Sequence, residues 1–230
     1  MPHLTRRAWL AVGLAIAGLA ALSVTIAGAQ TDDTPRGTDP LSADELTAAG
    51  DLAQGSNPGE AAGLGDDDVV LLIERHEEAK ADEDEGLRRA DVYVYSYDDD
   101  VLTWTVVDTA TGQVDQSQVV PDTQLPLIQE EEDRALEIAL DDPEFAQLLA
   151  TRYRQATGRD LADPAADLDI QPIVFRSDAN PRAAAAGAGD CGEHRCAQLM
   201  IQSTDDLLVN LLPVIDLSSG QVLTETGFFS

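Results

Sequence analysis

Val92 to Val114 reads VYVYSYDDDVLTWTVVDTATGQV, and Leu199 to Val222 reads LMIQSTDDLLVNLLPVIDLSSGQV. Each stretch is an apolar strand, an Asp-rich turn, a second strand ending in Asp, a short polar turn closed by Gly-Gln, and the start of a third strand. The series Asp108, Gly112, Gln113, Val114 recurs as Asp216, Gly220, Gln221, Val222. The spacing therefore predicts a duplicated fold unit. With 230 residues and 43% hydrophobic content, the chain has enough apolar side chain for two small cores.

Working outward from the first stretch, Ser42 and Glu45 have the spacing of a capping box, which predicts a helix running to about Ala53. A Gly-rich loop follows, then the β-prone run Val69 to Ile73, an acidic loop from Glu77 to Gly86, and a meander of three strands: Asp91 to Tyr97, Val101 to Asp108 and Gln113 to Val120. Working outward from the second stretch, the acidic run Glu130 to Asp133 suits a helix N-terminus, where the dipole favours negative charge. Asp142-Pro143 restarts that helix, Phe145, Leu148, Leu149 and Tyr153 supply an apolar face, and Gly158 ends it. A strand from Asp169 to Arg176 and a second meander complete the repeat. Each unit is a helix packed on a four-stranded antiparallel sheet, an α+β arrangement. The first is expected over residues 39–121 and the second over 122–230.

The N-terminus has the form of an export signal. Arg6-Arg7 precedes an apolar and small-residue run from Ala8 to Ala29, ending Ala27-Gly28-Ala29, with small residues at both positions a signal peptidase reads. Residues 1–29 are expected to be removed after Ala29, and 30–38 to form a flexible linker. Thr5 to Leu10 resembles a twin-arginine signal, with Trp9 where Phe is usual and Ala11 where Lys is common, so both export routes stay open. The same run is long enough to serve as an uncleaved membrane anchor. The formal charge of -29 repels phosphate backbones and anionic lipid heads, which argues against nucleic-acid and membrane-surface partners.

Four segments, in this order, resemble the N2 and N3 domains of copper amine oxidases. They are Asp39-Pro40-Leu41-Ser42-Ala43-Asp44-Glu45; the basic pair and strand Arg88-Arg89-Ala90-Asp91-Val92-Tyr93-Val94; the turn Val107-Asp108-Thr109-Ala110-Thr111-Gly112-Gln113-Val114; and Leu125-Pro126-Leu127. The resemblance covers Asp39 to Tyr153 well and the remainder loosely. It implies two tandem cystatin-like units that accompany a catalytic domain without taking part in its chemistry. That family's copper site takes three His, whereas this chain has three in all, one of them His3 in the signal. Its quinone cofactor forms from a Tyr preceded by Asn, and no Tyr here follows Asn. Amine oxidase activity is therefore not expected.

The remaining chemistry sits in Cys191-Gly192-Glu193-His194-Arg195-Cys196. In an exported chain Cys191 and Cys196 most simply form a disulfide across a tight turn. Alternatively, Cys191, His194 and Cys196 form a soft site for copper or zinc, completed by Met200 or His76; a redox-active disulfide is a third reading. Tyr93, Tyr95 and Tyr97 share one strand face, as core or helix-facing packing or as a ligand platform. Asp98 to Asp100 caps a hairpin turn rather than matching a Ca²⁺ loop. The expected function is an exported, non-catalytic binding or interaction module with a protein or small-molecule partner and no cofactor; the alternative is a copper- or zinc-handling protein.

Overall fold

The computed structural model describes residues 37–55, 68–78, 86–205, 209 and 211–224. The signal segment, its cleavage site, most of the 30–38 linker, and the 56–67 and 79–85 parts of the Gly-rich and acidic loops lie outside the described residues. All the described residues belong to one compact unit.

The first repeat runs α1 (Ala43–Gln54), β1 (Asp68–Arg75), β2 (Arg89–Ser96), β3 (Val101–Asp108), β4 (Gln113–Val119). The second runs α2 (Gln129–Asp141), α3 (Pro143–Thr157), the one-turn α4 (Pro164–Asp167), β5 (Leu168–Phe175), β6 (Cys196–Ser203), β7 (Val214–Asp216), β8 (Gln221–Thr224). Each repeat has its own four-stranded antiparallel sheet, in order β1-β2-β3-β4 and β5-β6-β7-β8. The fold is thus α+β, two tandem cystatin-like units.

Local chemistry accounts for the element ends. Glu45 N–H donates to Ser42 Oγ at 3.3 Å while Ser42 N–H donates to Glu45 Oε2 at 2.7 Å, the expected box at the start of α1. The Asp142 carboxylate accepts from the N–H groups of Glu144 and Phe145 at 2.9 and 2.8 Å, so the chain turns from α2 into α3 at that residue. Gly158 closes α3 at φ 73°, a left-handed conformation without penalty for glycine. The two Gly-Gln turns superimpose in chemistry as well as in letters. Asp108 Oδ1 accepts from Ala110 and Thr111 N–H, and Asp216 Oδ1 accepts from Ser218 and Ser219 N–H. Gly112 and Gly220 then donate back to the Asp108 and Asp216 carbonyls.

The meanders differ in one respect. The second is expected to mirror the first, yet β7 is three residues long. Pro213 has no N–H with which to extend the ladder, although its carbonyl still accepts from Leu199 N–H at 3.0 Å.

On the first sheet Ala49 and Ala53 of α1 pack on Ala90, Val92, Val94 and Val107, small residues that let helix and sheet approach closely. Tyr93, Tyr95 and Tyr97 lie on the face opposite α1, with Leu71 and Leu102; Tyr95 is a core residue, as expected, and Tyr97 meets α2 at Glu131. Alternation along β2 fixes that the tyrosines share a face but leaves open which face the helix takes. The second core gathers Ala135, Ala139, Phe145, Leu149 and Tyr153 from α2 and α3 against Leu199, Ile201, Ile215 and Leu217. Tyr97 packs at the edge of both this core and the tyrosine-face cluster.

A buried ion pair repeats with the fold. Arg88 donates through Nε to Glu45 Oε1 at 2.5 Å and through Nη2 to Glu45 Oε2 at 2.7 Å, and reaches the Asp39 and Pro40 carbonyls. Arg195 grips Glu131 the same way through Nε and Nη2, and reaches the Leu125 and Pro126 carbonyls. Each arginine, standing just before the first strand of its meander, therefore ties that strand to the third helical residue and to the Leu-Pro or Asp-Pro lead-in of its helix. The copies differ in burial. The Arg195 and Glu131 side chains are 0% and 3% exposed, those of Arg88 and Glu45 9% and 21%. Arg88 holds Glu45 down at about 2, so this carboxylate's contribution is intact above its ordinary 4.5 and fades as pH falls towards 2.

Removing one partner from a fully buried pair leaves a charge without compensation. Glu131→Ala should lower unfolding stability by about 3–5 kcal/mol, and Glu45→Ala, in the pair whose carboxylate is 21% exposed, by about 1–2 kcal/mol, chiefly as a lost cap. Urea unfolding of both variants checks the ranking.

Candidate functional site

The junction of the two repeats sets a polar network beside the apolar contact of Leu125 and Ile128 with Tyr95 and Leu102. At its centre Glu131 Oε1 accepts from Arg195 and also from Tyr97 Oη at 2.7 Å. Arg134 lies over the Tyr97 ring, 4.8 Å from its centroid, and Arg195 lies 5.7 Å from the Tyr95 centroid. Gln124 bridges outward, accepting from Arg195 Nη1 at 3.1 Å and donating to the Gly192 carbonyl at 3.0 Å. Burial raises both phenols well above their ordinary range, helped for Tyr95 by Asp100 and for Tyr97 by Glu131. They stay protonated and act as donors.

Asp100, the last residue of the Asp-rich β2–β3 turn, crosses to the second repeat. It stands at φ 53°, a left-handed conformation that Asp tolerates better than most side chains. Its Oδ1 accepts from Tyr95 Oη at 2.9 Å and from Ser218 Oγ in the β7–β8 turn. His194 completes the cluster, with Nδ1 2.8 Å from Asp216 Oδ2 and Nε2 3.7 Å from Asp100 Oδ2. A Ser, a His and two Asp thus meet, but Ser218 gives its proton to Asp100 and the imidazole lies between two carboxylates. This arrangement clamps one turn of each repeat together and leaves no activated hydroxyl.

Cys191 and Cys196 are disulfide-bonded, with Cα atoms 5.5 Å apart, and both are buried. The ring presents His194 and Arg195 to the junction. Because the sulfurs are bonded to each other, neither is a thiolate, and His194 Nδ1 is engaged by Asp216. Met200 is on β6 opposite Gln171, and His76 follows the end of β1, 2.7 Å from Asp91 Oδ1. Among the described residues no group of three or more His, Cys, Asp or Glu is arranged to hold a metal ion. The sequence pointed to His194 as part of a cysteine cluster; its partners Asp100 and Asp216 escaped notice because they come from turns 94 and 22 residues away. Their one sequence signal is that both turns end or begin on Asp.

No protein-family model matches the chain, and a search of curated proteins finds no match. A solved structure does. The fold resembles part of a copper amine oxidase. The structure is a copper-containing benzylamine oxidase from Hansenula polymorpha, matched with TM-score 0.53 and 15% identity over 84% of this chain. The chain spans 30% of that oxidase's length. At this identity the likeness is one of fold. Among the described residues no helix is long and apolar enough to cross a membrane.

The hydrogen bond to Asp216 raises the His194 pKa above 6.5, with Asp100 and Asp190 adding to it against the opposing effect of burial. Burial pushes Asp216 up, but the His194 and Ser219 hydrogen bonds prevail and its pKa falls below 3.8. A raised histidine stabilises most below its unfolded value and loses this as pH rises through its folded value; a lowered carboxylate stabilises above its unfolded value. The stability difference between the native chain and His194→Gln should therefore be largest between pH 3.8 and 6.5 and shrink on the alkaline side. Urea unfolding across that range measures it.

Proposed function

We propose that this chain is an exported, non-catalytic interaction module whose two units correspond to the N2 and N3 domains of copper amine oxidases. The observation that carries the reading is the asymmetry of the match: most of this chain aligns with less than a third of the oxidase. The residues agree with it. No tyrosine follows an asparagine, and the two histidines among the described residues stand beside different sheets, His76 just after β1 and His194 just before β6, each against its own aspartate. The buried polar junction supports the same reading, since its arginine, tyrosines and carboxylates are used up in holding the two repeats together.

Export is supported by the Arg6-Arg7 leader pattern together with the Cys191–Cys196 disulfide, a bond that persists in oxidising compartments. The purified chain, supplied with copper and benzylamine, should release no peroxide above a copper-only blank and should develop no quinone absorbance. Turnover would overturn the non-catalytic reading. Mass spectrometry of the secreted protein should place the mature N-terminus at Gln30; an intact leader would overturn export by cleavage.

A further inference from the structure

The face of the first sheet that carries the tyrosines divides into two zones. Towards one end Leu71, Tyr95 and Leu102 are buried, with Leu125 and Ile128 packed against them. Towards the other end lie Leu72, Glu74, His76, Asp91, Tyr93 and Trp104. A bulge between Val70 and Leu72 turns Leu71 to the tyrosine face and leaves Leu72 directly opposite Tyr93, which in turn opposes Trp104 on β3. Leu72 is 37% exposed, Glu74 is exposed, and Tyr93 and Trp104 are half-buried. Leu72, His76 and Trp104 belong to none of the core clusters of the described residues.

Asp91 is the fixed point of this zone. Trp104 Nε1 donates to its Oδ1 at 2.8 Å and His76 Nδ1 lies 2.7 Å from the same oxygen. The His76 and Trp104 rings stack, with centroids 6.4 Å apart and planes 26° apart. Both bonds arrive at Oδ1, so the carboxylate is held rigid at the edge of the indole while Oδ2 accepts no hydrogen bond among the described residues. The cation nearest in the strand, Arg89, is occupied by Glu78 and Asp115. Burial and then the Asp91 and Glu74 charges raise the Tyr93 phenol, a sign of the negative field there.

We infer that this half of the sheet face is a docking site for a basic polypeptide segment, with an arginine guanidinium stacked on Trp104 and paired to Asp91 Oδ2. Guanidinium suits the site because it is planar, stacks on aromatic faces and donates in parallel to carboxylates, whereas an ammonium is a strongly hydrated point charge. A net charge of -29 supplies the long-range attraction and disfavours a second copy of the chain or a polyanion as the occupant. This inference rests on the reading of the chain as an interaction module and adds the surface and the chemistry of the partner.

The chain contains two tryptophans, so the full chain carrying Trp9→Phe reports on Trp104 alone. Titration at physiological ionic strength with a short arginine-glycine peptide should give a saturable change in emission. A lysine-glycine peptide should bind more weakly. Asp91→Asn should weaken the arginine peptide by about tenfold, Glu74→Gln by a smaller factor, and exposed Asp99→Asn should leave it unchanged. Asp91→Asn also disturbs the His76 and Trp104 contacts, so Glu74→Gln, on the surface, keeps the test independent of folding. No saturable binding, equal binding by the native chain and both Asp91→Asn and Glu74→Gln, or a response to a neutral oligosaccharide in place of the peptide would each overturn the inference. Peroxide release from benzylamine reads the non-catalytic reading separately, since neither result fixes the other.

Discussion

A guanidinium cannot shed its charge in a protein interior, so wherever Arg195 is buried the structure around it must supply compensation. It does so from three directions: the Glu131 carboxylate at the start of α2, the carbonyls of Leu125 and Pro126 in the lead-in, and the Gln124 side chain. Satisfying that one residue fixes where the connection between the repeats runs, where α2 begins, and how β6 is placed against it. Tyr97 donates to the same carboxylate from the first repeat. The junction thus follows from the needs of an interior charge as much as from the burial of apolar surface.

The first repeat carries the same device in a less demanding form. Glu45 serves α1 both as half of a capping box and as the partner of Arg88, and Thr109 N–H donates to the Arg88 carbonyl as Leu217 N–H does to that of Arg195. At the head of α2 the Ile128 side chain has no acceptor, so only the Glu131 half of the box survives, with Ile128 N–H donating to its Oε2 at 3.0 Å. Position 128 has instead joined the apolar cluster beneath the tyrosine face. Where the first repeat has a polar cap, the second has an apolar contact with the first.

What could be read in the letters was whatever is local. The Ser42 and Glu45 box, the Asp142-Pro143 restart, Gly158, and the paired Asp108-Gly112 and Asp216-Gly220 turns all act within a few residues, and each stands where its spacing places it. The Cys191–Cys196 pairing is of the same kind. What escaped was remote. Glu45 meets Arg88 across 43 residues, Glu131 meets Arg195 across 64, and Asp100 meets Ser218 across 118. No periodicity encodes these partners, because the first two are chosen only when a helix packs on its own sheet and the third only when the two repeats meet. Asp91 and Trp104 were invisible for a subtler reason: an Asp in a strand reads as an exposed charge until the indole and imidazole beside it are known.

Tyr97 belongs to the edges of two cores at once, and its hydroxyl completes a carboxylate whose arginine sits on the other sheet. In a string of independent modules each unit can melt while its neighbours stand. Here neither half presents a finished surface to water on its own, because separation would leave Glu131 without the Tyr97 donor and uncover aromatic rings. The tandem is one compact body, so a mutation in the β2–β3 turn acts directly on the disulfide-bearing half, about 300 Å of extended chain away.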